Sequence, residues 1–295
     1  DSPCIHTGNK CVIIMVDNTI YNPGLADKLR GILSIYSLCK EKHIDFKINW
    51  TYPFELTEYL LPNKINWIIE QEKIKYSLSD SKIVVIDTLP NIHASRQSII
   101  DKKIFDDTVL NSQYLQYHIY TNSIIHTQAF PNLFRELFTP SEKLQSLIDL
   151  HHKNIGGKYV AASFRFLELL GDFKDSEGMD ETLPPRELLI EQCYIELKKF
   201  IDTLPEFYKI LVTSDSERFL TKASTLPRTY IIPGKVIHIR YKTTDTSAYM
   251  KTFLDMFLLS GAESLVLFKT GKMYNSGFPR LASQIGNKPF KIHEF

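Results

Sequence analysis

Apolar runs and helical periods alternate along the first fifty residues. Cys11–Val16 is short and β-branched, which is typical of a buried parallel strand. After a turn-rich stretch over 18–24, a helical period begins at Leu25 and keeps its apolar residues on one face. Residues 44–50 form the next strand candidate. This order of strand, helix and strand predicts a doubly wound parallel sheet.

The middle of the chain is less regular and contains the predicted domain boundary. Strands are predicted over 82–87 and 115–120, and a helix over 140–154. Gly156 and Gly157 interrupt the pattern after that helix. We therefore predict an N-terminal α/β domain over residues 1–154 and a C-terminal α/β domain over 155–295.

The second half repeats the α/β rhythm more clearly. Its predicted strands cover 158–166, 209–213, 229–232, 235–239 and 265–268. Its predicted helices cover 185–202, a stretch opened by Ser214 or Ser216, 247–260 and 275–285. The predicted architecture is therefore two Rossmann-like, doubly wound domains facing a cleft, with ligands at the carboxyl ends of the strands.

Composition and charge narrow the classes of partner. Among the 295 residues, 35 Lys and Arg balance 34 Asp and Glu, so no basic field exists to hold nucleic acid. The longest apolar stretch, 253–268, is interrupted by Asp255 and Glu263 and cannot span a bilayer. We expect a cytoplasmic protein, with peripheral contact at the inner face of the membrane as an alternative.

Several signatures of cofactor and metal sites are missing from the sequence. It contains no G-x-G-x-x-G or G-x-x-x-x-G-K-[ST] loop, no G-x-S-x-G elbow and no H-E-x-x-H helix. No two aspartates stand at D-x-D spacing, the usual metal–diphosphate handle of metal-dependent glycosyltransferases. A diphosphate would therefore need Arg, Lys or the N–H groups at helix N-termini.

Arg165 is the first candidate for such a role. It stands near the carboxyl end of the strand predicted over 158–166, which is otherwise too apolar to favour a guanidinium. A bidentate phosphate is one anionic partner that would suit it. A structural ion pair with Glu168 or Asp172 is the alternative.

Three further parts of the sequence carry candidate polar groups. Two precede predicted helices, and the third lies inside an apolar helix. Thr213-Ser-Asp-Ser216 follows a strand, and helix capping is its structural alternative. Asp255 lies among apolar residues, where it either faces solvent or holds a specific donor such as guanine. Lys272-Met-Tyr-Asn-Ser-Gly277 precedes the last helix and could receive a phosphate, with capping again the alternative.

These pieces resemble the fucosyltransferase superfamily, which includes the α1,6-, α1,2-, nodulation and protein O-fucosyltransferases. The run over 249–266 (Tyr249-Met-Lys-Thr-Phe-Leu-Asp-Met-Phe-Leu-Leu-Ser-Gly-Ala-Glu-Ser-Leu-Val266) is similar to its Leu-Asp-x-x-x-Leu-Ser-x-Ala-[Asp/Glu]-x-Leu-Val segment. Asn22-Pro-Gly-Leu resembles its first Gly-containing loop, and Ala162-Ser-Phe-Arg165 stands in the place of its His-x-Arg motif. Leu211-Val-Thr-Ser-Asp215 is similar to its Thr-Asp-Asp segment.

The resemblance implies a GT-B fold and a metal-independent, inverting fucosyltransferase with GDP-fucose as donor and a glycan as acceptor. It implies that the domain over 1–154 lies on the acceptor side and that the domain over 155–295 binds the nucleotide sugar. It implies that Arg165 holds the diphosphate, that Asp255 contacts guanine and that Ser276 or its neighbours meet phosphate. The complete set of implied donor-binding residues is Ser163, Thr213, Asp215, Asp255, Lys272, Ser276, Gly277, Asn22 and Gly24. No metal or cofactor is implied.

The sequence departs from the family pattern in two places. The His of His-x-Arg is Ser163 here, and the segment after Val266 is longer, so Lys272, Ser276 and Arg280 compete for the phosphate role. The general base for the acceptor hydroxyl is sought among Glu168, Asp172 and Asp175, with Asp172 the first choice because Gly171 precedes it.

Two other functions stay open at this point. An inactive binder of sugar nucleotide or glycan is favoured by Ser163 in place of His. A transferase for another nucleotide sugar is the second alternative, because a fold does not fix the donor.

Overall fold

Two parallel sheets, each with its own helices, organise the protein. The computed structural model describes residues 10–20, 23–88, 92–125, 127–171, 186–237, 239 and 242–295. The chain up to Ser141 forms one unit and the chain from Glu142 onward forms the second, except that the short segment 240–242 groups with the first. The predicted α/β class with doubly wound sheets is confirmed.

The first unit is built on a four-stranded parallel sheet. The strands of the whole unit are β1 (Cys11–Val16), β2 (Asp45–Trp50), β3 (Leu60–Pro62), β4 (Ser81–Ile86), β5 (Gln116–Thr121) and β6 (Phe138–Pro140). The sheet order is β2-β1-β5-β4, while β3 and β6 form a separate antiparallel pair. The helices are α1 (Leu25–Lys42), α2 (Ala94–Phe105) and α3 (Phe130–Leu137).

Helix α1 follows directly from its sequence pattern. Its apolar face is fully buried at Leu29, Ile32 and Leu33. Gly24 precedes it in an extended conformation, and His43 ends it in the left-handed region with φ 55°. Cations in the last turn suit the partial negative charge of a helix C-terminus.

The second unit contains a five-stranded parallel sheet with helices between the strands. Its strands are β7 (Tyr159–Phe164), β8 (Lys209–Ser214), β9 (Thr229–Tyr230), β10 (Leu265–Lys269) and β11 (Phe290–Glu294). Its helices are α4 (Glu142–Ile155), α5 (Arg186–Asp202), α6 (Glu217–Ala223), α7 (Ser247–Gly261) and α8 (Gly277–Gly286). The predicted boundary after residue 154 stays a prediction, and α4 groups with this unit.

The strand order of this sheet is β11-β10-β7-β8-β9. The chain starts at the centre in β7, runs outward to β9, then crosses back to β10 and runs outward to β11. This is the Rossmann order, in which the direction of winding reverses between two neighbouring strands. Here those neighbours are β7 and β10.

Strand β7 is buried along its whole length because helices cover both faces of the sheet. On one side Phe164 packs against Phe219 and Phe268, with ring centroids 4.4 and 4.8 Å apart. An apolar run of this kind is what the sequence pattern detected most reliably.

Other elements differ from the predictions. Residues 235–237 and 239 are irregular, so the strand predicted over 235–239 is wrong. Helices α2 and α3 and strand β11 were not predicted. Strand β11 alternates Phe, Lys, Ile, His and Glu and is half exposed at the sheet edge, so its sequence resembles a polar loop. In the described part of the chain, no helix is long and apolar enough to cross a membrane.

Candidate functional site

The carboxyl ends of β7, β8 and β10 bring several predicted residues together. These strands are neighbours in one parallel sheet, so their ends meet at the same edge. Arg165 follows β7, Asp215 follows β8, and the segment 270–276 follows β10. The reversal of winding lies between β7 and β10, and ligands of doubly wound sheets bind at such points. The sequence therefore places its candidate residues where this fold binds ligands.

Ser163 and Thr213 lie side by side near this edge. They are register partners in β7 and β8, and their hydroxyl oxygens are 2.7 Å apart. Ser163 is buried. The hydroxyl that replaces the family's imidazole is thus hydrogen-bonded to the neighbouring strand.

Asp215 holds the turn that follows β7. Its carboxylate accepts hydrogen bonds from the backbone N–H of Phe166 at 2.9 Å and of Leu167 at 2.8 Å. Its Oδ2 also lies 3.3 Å from Nε of Arg165. Burial raises the pKa of Asp215, while Arg165 and the backbone N–H groups oppose that shift. Asp215 therefore fixes the conformation of residues 165–167 through these three contacts.

The turn held by Asp215 contains a backbone conformation uncommon for a leucine. Leu167 has φ 52°, in the left-handed region. Such conformations persist where surrounding contacts impose them. The hydrogen bond from Leu167 N–H to Asp215 is one such contact.

Arg165 is paired with Asp215, a partner that the sequence analysis did not propose. Its Nε faces the carboxylate of Asp215 from the adjacent strand, while Asp172, one of the two partners expected from the sequence, lies outside the described residues. Its side chain remains 19% exposed, whereas that of Asp215 is fully buried. The Arg165 carbonyl also accepts a hydrogen bond from Tyr274 N–H at 3.1 Å. This bond ties the β7 turn to the segment after β10.

Helix α8 begins beside this segment. Ser276 is its N-cap and accepts a hydrogen bond from Phe278 N–H at 3.3 Å, so the capping interpretation holds for its side chain. Gly277 is the first helical residue, and a Cβ atom added there would meet nothing within 4 Å. The space at Gly277 therefore admits a ligand group to the first N–H groups of α8.

In the stretch 213–216, one residue caps a helix and two others contact β7 or the turn that follows it. Ser216 caps α6 by accepting a hydrogen bond from Phe219 N–H at 3.1 Å. Thr213 and Asp215 instead face β7 and the turn that follows it. Capping thus accounts for Ser216 and does not account for Asp215.

Asp255 is not a solvent-exposed helix residue. It is 6% exposed, and both of its carboxylate oxygens accept from Lys251 Nζ, at 2.6 and 2.5 Å. Burial raises the pKa of Asp255, and the Lys251 ammonium followed by His151 opposes the shift. The solvated alternative is wrong, and the sequence analysis missed Lys251. The i,i+4 spacing of Lys and Asp inside an apolar helix was the available signal.

The remaining predicted residues occupy less informative positions. Glu168 lies in a single 3-10 turn over 167–170, next to Arg165, and Lys272 lies in the turn after β10. The guanidinium of Arg280 stacks over the Phe290 ring at 4.8 Å. Gly24 precedes α1 in the first unit. Asn22, Asp172 and Asp175 lie outside the described residues.

Comparison with solved structures identifies the fold. The NodZ α-1,6-fucosyltransferase, solved after soaking with GDP-fucose, aligns with a TM-score of 0.61 at 15% identity, covering 98% of this chain and 95% of NodZ. FUT1 from Arabidopsis thaliana in complex with GDP aligns with a TM-score of 0.61 at 13% identity, covering 98% of this chain and 71% of FUT1. POFUT1 in complex with GDP-fucose gives 0.54 at 7% identity, with 98% of each chain covered.

The chain therefore shares its fold with these three fucosyltransferases, and this is the GT-B fold that the resemblance in sequence implied. No protein-family model matches the sequence, and no curated protein matches it by sequence comparison. The likeness to these proteins lies in the fold.

Proposed function

We propose that this chain is a metal-independent, inverting glycosyltransferase that moves fucose from GDP-fucose to a glycan hydroxyl. The observation that carries the proposal is the arrangement at the reversal point of the second sheet. There Arg165, held by Asp215, lies on a turn that is hydrogen-bonded to the segment leading into the open N-terminus of α8. A guanidinium and a helix N-terminus are two groups that bind diphosphate without a metal.

In the proposed reaction, the bond between the fucose anomeric carbon and the β-phosphate oxygen breaks through an oxocarbenium-like transition state. The bonding electrons move onto the diphosphate, where Arg165 stabilises the growing charge. The acceptor hydroxyl attacks from the opposite face, and its proton passes to a carboxylate, with Glu168 or Asp172 as the candidates. Removing one preorganised donor of this kind costs on the order of 100- to 1000-fold in rate.

The remaining donor contacts are assigned by the same proposal. Asp255 accepts hydrogen bonds from guanine, while Ser276, Gly277 and Lys272 surround the phosphate. A role of Asn22 and Gly24 in donor binding stays a prediction from the sequence. The cytoplasmic location and the glycan acceptor stay predictions from the sequence.

The first test is the change in melting temperature caused by GDP, UDP, CMP and ADP in the presence of EDTA. We expect stabilisation by GDP alone, because a ligand at 100 times its dissociation constant adds about 2.7 kcal/mol. Arg165→Ala should abolish the effect. Arg135→Ala is the matched control, because Arg135 is exposed in the first unit and bonds Asn132. Stabilisation by UDP, or by no nucleotide, would reject GDP-fucose as donor.

A binder without turnover is the second candidate function. The observation that favours it is the hydrogen bond between Ser163 and Thr213, which occupies the position of the family's imidazole. Incubation with GDP-fucose and a panel of glycans distinguishes the two functions. Release of GDP that depends on Arg165 supports the transferase, whereas GDP-fucose binding without any release supports the binder.

A further inference from the structure

The ion pair between Lys251 and Asp255 is buried within an apolar helix. Each residue is 6% exposed. Replacing a buried ion pair by apolar residues of similar volume is often neutral or stabilising, so stability alone is a weak reason for one to be present. Within the described residues, Asp255 is the one side chain to which the Lys251 ammonium donates. The pair therefore carries hydrogen-bonding capacity beyond what the helix requires.

The pair lies against the segment that follows β9. A Cβ atom on Gly234 would sit 3.5 Å from Cδ of Lys251, so this glycine packs directly on the lysine stem. Gly234 has φ 117°, a conformation that favours glycine. Residues 231–234 leave the carboxyl end of β9, and α7 begins at that same edge because it precedes the parallel strand β10. Lys251 therefore lies on the edge of the sheet that carries Arg165.

The hydrogen-bonding pattern of the pair matches the edge of one nucleobase. An ionised carboxylate accepts about four hydrogen bonds, and an ammonium donates three. Guanine presents O6 as an acceptor beside the N1–H and N2 amino donors. Adenine presents an amino donor where guanine has O6, and an acceptor at N1. A lysine beside an aspartate thus complements guanine and opposes adenine.

We propose that Lys251 is a specificity-determining residue that donates to O6 of guanine while Asp255 accepts from N1–H and the N2 amino group. In the free protein, Nζ of Lys251 bridges both oxygens of Asp255 and occupies the position that the base takes when it binds. When the base binds, Nζ moves to an outer lone pair of the carboxylate and reaches O6. This inference rests on the proposed function, because it concerns the base of the same GDP donor.

The test is the ratio of the dissociation constants for GDP, IDP and ADP, measured by calorimetry on the full chain. Lys251→Met should weaken GDP and IDP equally, because both carry O6, and should narrow the preference for GDP over ADP by roughly ten- to hundredfold. Asp255→Asn should weaken GDP more than IDP, which lacks the N2 amino group. A lysine with a structural role alone would lower stability and leave these ratios unchanged.

Two further variants keep the inference testable if Lys251→Met does not fold. The double variant Lys251→Met/Asp255→Leu removes both charges and should lose discrimination between GDP and ADP. Lys198→Met/Asp202→Leu is the matched control, because that pair has the same i,i+4 spacing in the sequence but is exposed. Its Nζ and Oδ2 atoms are 2.8 Å apart. An unchanged ratio in the double variant overturns the inference. If instead the wild type shows no preference for GDP, the proposed function itself fails.

Discussion

Asp215 and Arg165 come from the ends of two neighbouring strands and meet at 3.3 Å, between Oδ2 and Nε. The same carboxylate binds the N–H groups of Phe166 and Leu167, so one buried side chain fixes both the backbone and the guanidinium of this turn. If Arg165 holds the diphosphate as we propose, Asp215 affects donor binding without contacting the donor.

Asp215→Ala should destabilise the second unit by about 3–5 kcal/mol, because it removes the buried carboxylate that accepts from two backbone N–H groups and pairs with Nε of Arg165. Urea unfolding monitored by circular dichroism measures the change. Asp202→Ala is the control, since Asp202 belongs to an exposed pair with Lys198 and should shift stability by about 0.5 kcal/mol or less. An equal loss in the free energy of unfolding of the two variants would contradict the role of Asp215 in fixing residues 165–167.

Arg165→Lys should not restore the activity lost in Arg165→Ala. An ammonium keeps the charge but lacks the planar fork of donors that matches phosphate oxygens. We expect GDP release from GDP-fucose to fall on the order of 100-fold or more in both variants. If the lysine variant works at the wild-type rate, a point charge is sufficient, and bidentate recognition by Arg165 is wrong.

Gly277→Asp should change stability and nucleotide affinity in opposite directions. A carboxylate in the first turn of α8 stabilises the helix by about 0.3–1 kcal/mol through the helix dipole. The same charge repels a diphosphate at that N-terminus, so GDP affinity should fall about tenfold or more. Gly277→Ala is the neutral control, because its Cβ would meet open space. Melting curves with and without GDP separate the two effects, and undiminished GDP affinity in the Asp variant would exclude phosphate at this site.

Gly286→Ala should destabilise the packing of α8 on α7. A Cβ atom there would lie 2.0 Å from the carbonyl oxygen of Ser260, which forces backbone to move. Overpacking of this kind costs about 1–3 kcal/mol or more. Urea unfolding compares this variant with Gly277→Ala at the other end of the same helix. Unchanged or increased stability in Gly286→Ala, which is what helix propensity alone would give, would show that the close approach to Ser260 does not decide the result.

Acidification below neutral pH should reduce the free energy of unfolding. Burial lowers the pKa of His118, His151 and His152 from the ordinary value of 6.5. Below that value the unfolded chain binds protons that the folded chain does not, so stability is lost as the pH falls. Each histidine contributes a slope of up to about 1.4 kcal/mol per pH unit. Urea unfolding between about pH 7 and pH 5.5 measures it, and His118→Gln should make the slope shallower. A slope that His118→Gln leaves unchanged would show that this histidine is not the source.

The local pattern of the sequence was sufficient for most strands and long helices of the second unit. Runs such as Lys209–Ser214 and Leu265–Lys269 are apolar because parallel strands are covered on both faces, and that requirement is visible in a single stretch of chain. Edge strand β11 carries a half-exposed pattern, and α2 buries Gln97 and Asp101 along with Phe105. Neither element shows the periodicity on which such predictions depend.

The α/β class, the order of the motifs and the positions of Arg165, Asp215 and Ser276 near strand ends and helix starts can be predicted from the residue pattern alone. The partners of these side chains depend on the folded chain. Arg165 pairs with Asp215, and Asp255 pairs with Lys251 and is buried. The first pairing joins residues that are distant in the chain, so it depends on which strands are neighbours in the sheet. The second pairing has a local signal in the i,i+4 spacing of Lys251 and Asp255, but its burial depends on how α7 packs, and that is not encoded in a local stretch of residues.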